Sequence, residues 1–255
     1  MSGALVGLGL LCALYVWLKS KSAAMTTGVL YFVLMELLQF FQYYWIDQCD
    51  NAINQWLTVV GFLHICFQPY FTHLMNGALV RHPEHITQFA LVRKLALLQG
   101  AWMFSRWVLA PADAPLEYTE WLRGDKLCTL YGNYHISWSL PLLAPTYFSP
   151  SNAIHFFMMF APFLAMGRRF WLSGLVLFAT GPLLAWYITP NLYEQAAIWC
   201  FMSIGQIVLL VLMLQFRLGG DWTRVSKSPS GSPAAVSKPK PKAPTFTIGR
   251  KPHVQ

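Results

Sequence analysis

The chain has 255 residues, 56% of them hydrophobic and only 11% charged, against about 25% charged in an ordinary soluble domain; too few side chains can face water for a soluble globule. The formal charge of +8 does not indicate nucleic acid as a partner, because it is concentrated at one end. From Arg217 onward eight basic residues stand against one acid, Asp221, a net of +7, and the rest is nearly neutral; such an end fits retention on the inner side of a membrane and attraction to anionic lipid headgroups.

Eight apolar runs follow one another: Gly3–Leu18, Met25–Ile46, Gln55–Leu79, Arg93–Ala110, His135–Phe148, Asn152–Met166, Phe170–Ile188 and Glu194–Phe216. Most approach the length of about 20 residues needed to cross a bilayer. The first lacks a basic leader and a small-residue cleavage site, so it reads as a span rather than a signal peptide. Basic residues then decide the count. Lys19 and Lys21 follow the first run, Arg81, Arg93 and Lys94 the third, Arg168 and Arg169 the sixth. Eight crossings would place Arg168, Arg169 and the whole tail outside, whereas seven place every basic cluster inside. The run to demote is His135–Phe148, which is short and carries Pro141 and Pro145, with Pro150 just after. The expectation is an all-α polytopic helix bundle of about seven spans over residues 1–218, N-terminus out and C-terminus in. Residues 127–151 form a re-entrant or interfacial element on the outer side. A disordered basic tail rich in Ser, Pro and Lys occupies 219–255. Trp45, Trp56, Trp107, Trp121, Trp171 and Trp186 lie near the ends of runs, where interface anchors belong.

Ionisable residues inside a span are costly and are functional candidates for that reason. Glu36 is ten residues from Ile46 and His64 nine from Gln55, which places them about 15 and 13.5 Å deep from the same face at 1.5 Å per residue. They could therefore meet. Gln39 shares a face with Glu36, and Gln68 with His64, just before a kinking Pro69. His135 in the demoted element and His155 near the start of the sixth run approach from the same outer side. With Asp47 these residues outline a polar pocket: Glu36, Gln39, Asp47, His64, Gln68, His135 and His155. Three imidazoles and a carboxylate, Glu36, His64, His135 and His155, would suit a zinc or iron ion or a proton relay. Arg106, about four residues inside the outer end of its span, could counter Glu36 or Asp47, but snorkelling to the headgroups is the simpler reading. Glu194 could cap the helix that follows it. Cys12, Cys66 and Cys200 read as small apolar residues. Cys49 and Cys128 both fall on the outer side, so a disulfide between them and two free thiols stand at even odds.

Met35-Glu-Leu-Leu-Gln39, Ile46-Asp-Gln-Cys49, Leu63-His-Ile65 with Phe67-Gln-Pro69, and Leu127-Cys-Thr129 with Gly132 and His135-Ile-Ser-Trp138 resemble, over residues 25–205, a family of multi-pass membrane proteins without assigned function. Its members occur in bacteria, with similar chains in algae and large viruses. The resemblance implies a membrane location and no activity. Microbial rhodopsins fit worse, since no Lys lies between Lys126 and Lys227. So do the seven-span zinc hydrolases and the His-box desaturases, whose histidine motifs are missing. Three functions remain open: a membrane protein binding a small molecule, lipid or ion in a Glu/His/Gln pocket; a metal-dependent membrane enzyme acting on a lipid-like substrate; and a structural or assembly factor. In each, membrane lipids are the surroundings.

Overall fold

Ser2–Ser20 forms α1, and two residues later Ser22 accepts the Met25 N–H to start α2, Ala23–Gln42. The structure is a computed structural model that describes residues 2–80, 83–110, 120–146, 149, 151–166 and 168–215. The basic tail 219–255, Arg81 and Pro150 lie outside the described residues. A short 3-10 turn, Tyr43–Trp45, ends α2, and Asn51 caps α3, Ala52–Ala78, by accepting the Ile53 N–H. α4 is Pro83–Val108, α5 is Ala153–Ala165, and α6 begins at Arg168–Phe178. Pro182 has no N–H to donate, and α6 passes here through a wide π-turn, Ala179–Leu183, before ending as Leu184–Ile188. α7 is Gln195–Gln215.

Successive helices reverse direction. The α2–α3 loop, the end of α4, the start of α5 and the α6–α7 loop all meet at one end of the bundle, while Tyr15 of α1 bonds to Gln215 of α7 at the other. α3 lies between α2 and α4. The α3–α4 contact is close: a Cβ on Gly100 would stand 2.7 Å from the Cys66 carbonyl oxygen, the kind of backbone approach that small residues permit between membrane helices.

Among the described residues four helices are both long and apolar enough to cross a membrane: Gly3–Ser20, Ala23–Trp45, Phe170–Ile188 and Gln195–Leu212. That is fewer than the seven expected. α3 has the length, with 27 residues, but Asn54, Gln55, His64, Gln68, His73 and Asn76 dilute its apolarity. α4 is diluted by Glu84, Arg93, Lys94, Gln99 and Arg106, and α5 has only 13 residues.

The fold also departs from all-α. Residues 128–139, within the demoted element, form a β-hairpin: β1, Cys128–Tyr131, pairs antiparallel with β2, Ile136–Ser139, with Cys128 opposite Ser139 and Tyr131 opposite Ile136. The hairpin is buried in the largest apolar cluster, where Ile136, Trp138, Leu140 and Leu142 pack with Met35, Phe62, Cys66 and Met103. Thr129, Ile136 and Trp138 are β-branched or aromatic, as strands favour. The prolines that follow suit an extended path, which is why no helix forms here.

Candidate functional site

The hairpin is held by side chains from three directions. Asn54 of α3 accepts the Thr129 N–H at 2.9 Å and donates to the Thr129 carbonyl at 3.0 Å, reproducing a strand's pairing with one amide, and Thr58 bonds Thr129 through its hydroxyl at 2.7 Å. Asp47, in the left-handed region at φ 61°, accepts the Tyr131 N–H at 2.9 Å and donates its own N–H to the Thr129 carbonyl. Asp47 is therefore a hairpin latch. Cys49 in the same loop is joined to Cys128 by a disulfide, with Cα atoms 4.9 Å apart. From below, Gln42 accepts the Trp138 indole N–H at 3.1 Å.

Glu194, the residue before α7, completes the clasp. Its Oε1 accepts the N–H groups of Tyr134 and His135 at 2.5 and 2.6 Å, and Oε2 accepts the Thr189 hydroxyl at 2.7 Å. Burial pulls its pKa up, but the hydrogen bonds from the hairpin tip and Thr189 together hold it below the usual carboxylate value. Gly132 is required beside it, since a Cβ there would stand 2.4 Å from the His135 carbonyl oxygen and 2.5 Å from Glu194 Oε1. His135 accepts the Tyr43 hydroxyl on Nδ1 at 2.5 Å if Nε2 carries the proton, and burial lowers its pKa to about 4 against a partial lift from Glu194. It is a neutral ring at the hairpin tip.

Arg106 does not snorkel. It is 1% exposed and forms a two-pronged pair with Glu120, Nη1 to Oε1 at 3.0 Å and Nη2 to Oε2 at 2.7 Å. The same guanidinium donates to the Leu143 carbonyl and to Asn152 Oδ1. Asn152, at the start of α5, donates in turn to Glu120 and to the Trp121 carbonyl. One buried cation thus ties the end of α4, the strap at 120–122, the segment after β2 and the start of α5. The planar fork of arginine suits this role because it satisfies a carboxylate and two other oxygens at once.

Beneath this knot lies a cavity of about 450 Å³, in the range of small-molecule sites. Trp121 and Leu122 of the strap, Asn152 and His155 of α5, Gln68 of α3 and Trp199 of α7 line it, with the π-turn of α6 on the open side. Trp121 is set by its indole N–H to Gln195 Oε1 at 2.7 Å and by stacking on Phe156, centroids 4.4 Å apart. His155 is 3% exposed, and neither ring nitrogen has a partner; the side-chain nitrogen of Gln68 is equally unpaired. A second cavity of about 250 Å³ adjoins it, with Gln68 and Trp199 lining both.

Of the seven residues expected to line one pocket, Gln68 and His155 line this cavity. Asp47 and His135 serve the hairpin. Gln39 donates to the Ala197 carbonyl at 3.3 Å. His64 stacks on Tyr31, 3.7 Å between centroids, and Glu36 is fully buried with both carboxylate oxygens unpaired, so no hydrogen bond joins the two. Among the described residues no three His, Cys, Asp or Glu side chains come together as a metal site, so Glu36, His64, His135 and His155 do not form one. The physical reason is azimuth: equal depth on two helices does not make two side chains face each other. Trp121, Asn152, Gln195 and Trp199 were not singled out for the site by the sequence, since polar residues at helix ends and aromatic residues near interfaces have bland explanations. The one available signal was Arg106, a cation inside a span in search of a partner.

No curated protein and no solved structure matches the chain. A sequence model does match residues 1–218, and by that match the chain belongs to DUF5765, a family of unknown function.

Proposed function

We propose that the protein is an integral membrane protein that holds a small lipophilic molecule in the cavity between α3, α5, α6 and α7. The observation that carries this is the pairing of His155 and Gln68. Each is buried, each has an unpaired hydrogen-bonding atom, and both line the same mostly apolar cavity. A buried polar group without a partner costs about 1–3 kcal/mol, and a bound molecule that supplied the partner would remove that cost. The cavity lies near the hairpin end of the bundle, the outer half in the orientation the charges favour.

We further read the bundle as crossing the membrane about seven times, with the N-terminus out and the basic tail meeting anionic headgroups inside. The reversal of direction at each helix supports this, as does the burial of Asn54, Gln68, Thr72 and His73 of α3, which hides that helix's polar residues from lipid. Nucleic acid is not a partner in this reading. A metal-dependent enzyme is not favoured, because the four residues that would hold the ion are dispersed.

The test is to extract bound lipophiles from the purified full chain and from His155→Leu and Gln68→Leu, with native mass spectrometry as readout. A stoichiometric small molecule in the parent protein, reduced about tenfold in each variant of unchanged melting temperature, is expected. An empty, well-folded parent protein, or equal loading of all three, overturns the reading.

A further inference from the structure

We propose that the two cavities together hold one neutral quinone-class lipid, its planar carbonyl-bearing ring in the upper cavity and its tail in the lower. This rests on the binding reading above and specifies the ligand.

Neutrality follows from the walls. Among the described residues neither cavity is lined by Asp, Glu, Lys or Arg. A charged headgroup would lose its hydration there without a counter-charge, a cost of several kcal/mol. The polar character of the head follows from the groups left over. Asn152, Gln195 and the Trp121 indole are already spent on one another, on Arg106 or on the backbone. What remains in the upper cavity is the Gln68 amide nitrogen, a donor, and the His155 imidazole, which offers a donor and an acceptor; the Thr72 hydroxyl is left over in the lower one. They reach the cavity from different helices. A rigid ring carrying carbonyl or hydroxyl groups on two sides can engage both, whereas a single alcohol engages one.

The shape also favours a planar ring. Trp121 and Phe156 stack at 4.4 Å, and Trp199 closes the same corner, its ring 5.4 Å from both Phe156 and His155. Flat aromatic faces recognise a flat ligand by stacking. Gln68 and Trp199 line both cavities, so the two adjoin at these side chains, and a tail attached to the ring would pass them to reach the lower one beside Met159, Leu177 and Ile207. Both cavities reach the outer surface of α6: Leu183 and Trp186 line the first, Leu172 and Val176 the second, and all four are exposed. A ligand entering there comes from the bilayer, which selects a lipid over a water-soluble metabolite.

The experiment uses the full chain in phosphatidylcholine nanodiscs with two photoreactive ubiquinone analogues, one carrying an aryl azide on the ring and one at the end of a decyl tail. The expected result is ring-probe labelling of peptides containing Trp121, Phe156 or Trp199, and tail-probe labelling around Met75 or Ile207. Unlabelled decylubiquinone should compete, and His155→Leu and Gln68→Leu should each reduce ring labelling about tenfold. Ser203→Phe, which narrows only the lower cavity, should remove tail labelling and spare ring labelling. Competition by phosphatidylglycerol equal to that by decylubiquinone would overturn the neutral class. Tail labelling indifferent to Ser203→Phe would overturn the shared path. If neither probe labels the cavities while the co-purified lipophile still depends on His155, the quinone class falls and the binding reading stands; if that dependence is also absent, both fall.

Discussion

Arg106 shows how one side chain can set a site that it does not line. Its guanidinium fixes Glu120 and Asn152, and Asn152 fixes the strap that carries Trp121, so the upper wall of the cavity hangs on a buried ion pair. Removing one partner of such a pair strands the other charge, at about 3–5 kcal/mol. Arg106→Met should therefore lower the melting temperature markedly in a thermal-shift assay. The double variant Arg106→Met with Glu120→Gln should recover a large part of the loss, and simple additivity of the two would show that the pair is not coupled. At the hairpin tip, Glu194→Ala leaves the Tyr134 and His135 N–H groups without their acceptor, a loss of about 1–3 kcal/mol. Hydrogen exchange at those two amides should accelerate while the helices stay protected. Neither pairing could be read from the chain. Glu120 sits in a loop of mixed charge, and the amides that Glu194 binds lie sixty residues before it.

The hairpin is the element on which one end of the bundle converges, and it carries a pH dependence with a definite sign. His135 in place titrates at about 4 instead of 6.5. Between those values a released hairpin takes up a proton that the docked one refuses, so docking weakens as pH falls from about 6.5 to about 4. The depressed Glu194 acts in the same direction: its contribution is complete above the ordinary carboxylate value and is lost as pH falls through its lowered one. Exchange protection of the Gly132–His135 amides should thus be greatest at neutral pH and decline on acidification. His135→Phe should remove the component between about 6.5 and 4; an unchanged profile would show that His135 is not the titrating group. The Cys49–Cys128 bond encloses a separation of 79 residues, for which chain entropy predicts stabilisation of up to about 4.5 kcal/mol. Reduction, or Cys49→Ser with Cys128→Ser, should lower the melting temperature and loosen the α2–α3 loop, read by denaturation in detergent with and without reductant.

At the scale of the whole molecule, α3 and α4 separate the number of helices from the number that composition alone would send across a membrane. Asn54, Gln68 and His73 of α3 and Gln99 and Arg106 of α4 are buried against neighbours, so the average hydropathy of these helices understates how apolar a face they show outward, although Glu84 and Lys94 of α4 are exposed. Leu91, Leu95 and Leu98 of α4 are all exposed, as a lipid-facing stripe would be. Single-cysteine labelling from each side of a sealed membrane should then place Gln48 and Tyr134 on one side and Lys19 and the tail on the other. Labelling of Gln48 and Lys19 from the same side would break the alternation.

The sequence by itself determined the apolar character of the chain, the positions of most helices and the one apolar run that does not become a helix. Those properties follow from local composition, from proline and from the length of each run, all of which act within one segment. Tertiary structure decided which polar groups meet. Glu36 and His64 lie at matching depths and still do not bond, because the rotation of each helix about its axis is set by packing across the bundle. His155 and Gln68, from helices that are remote in sequence, come to one cavity because the Arg106 knot and the close α3–α4 contact hold their helices there.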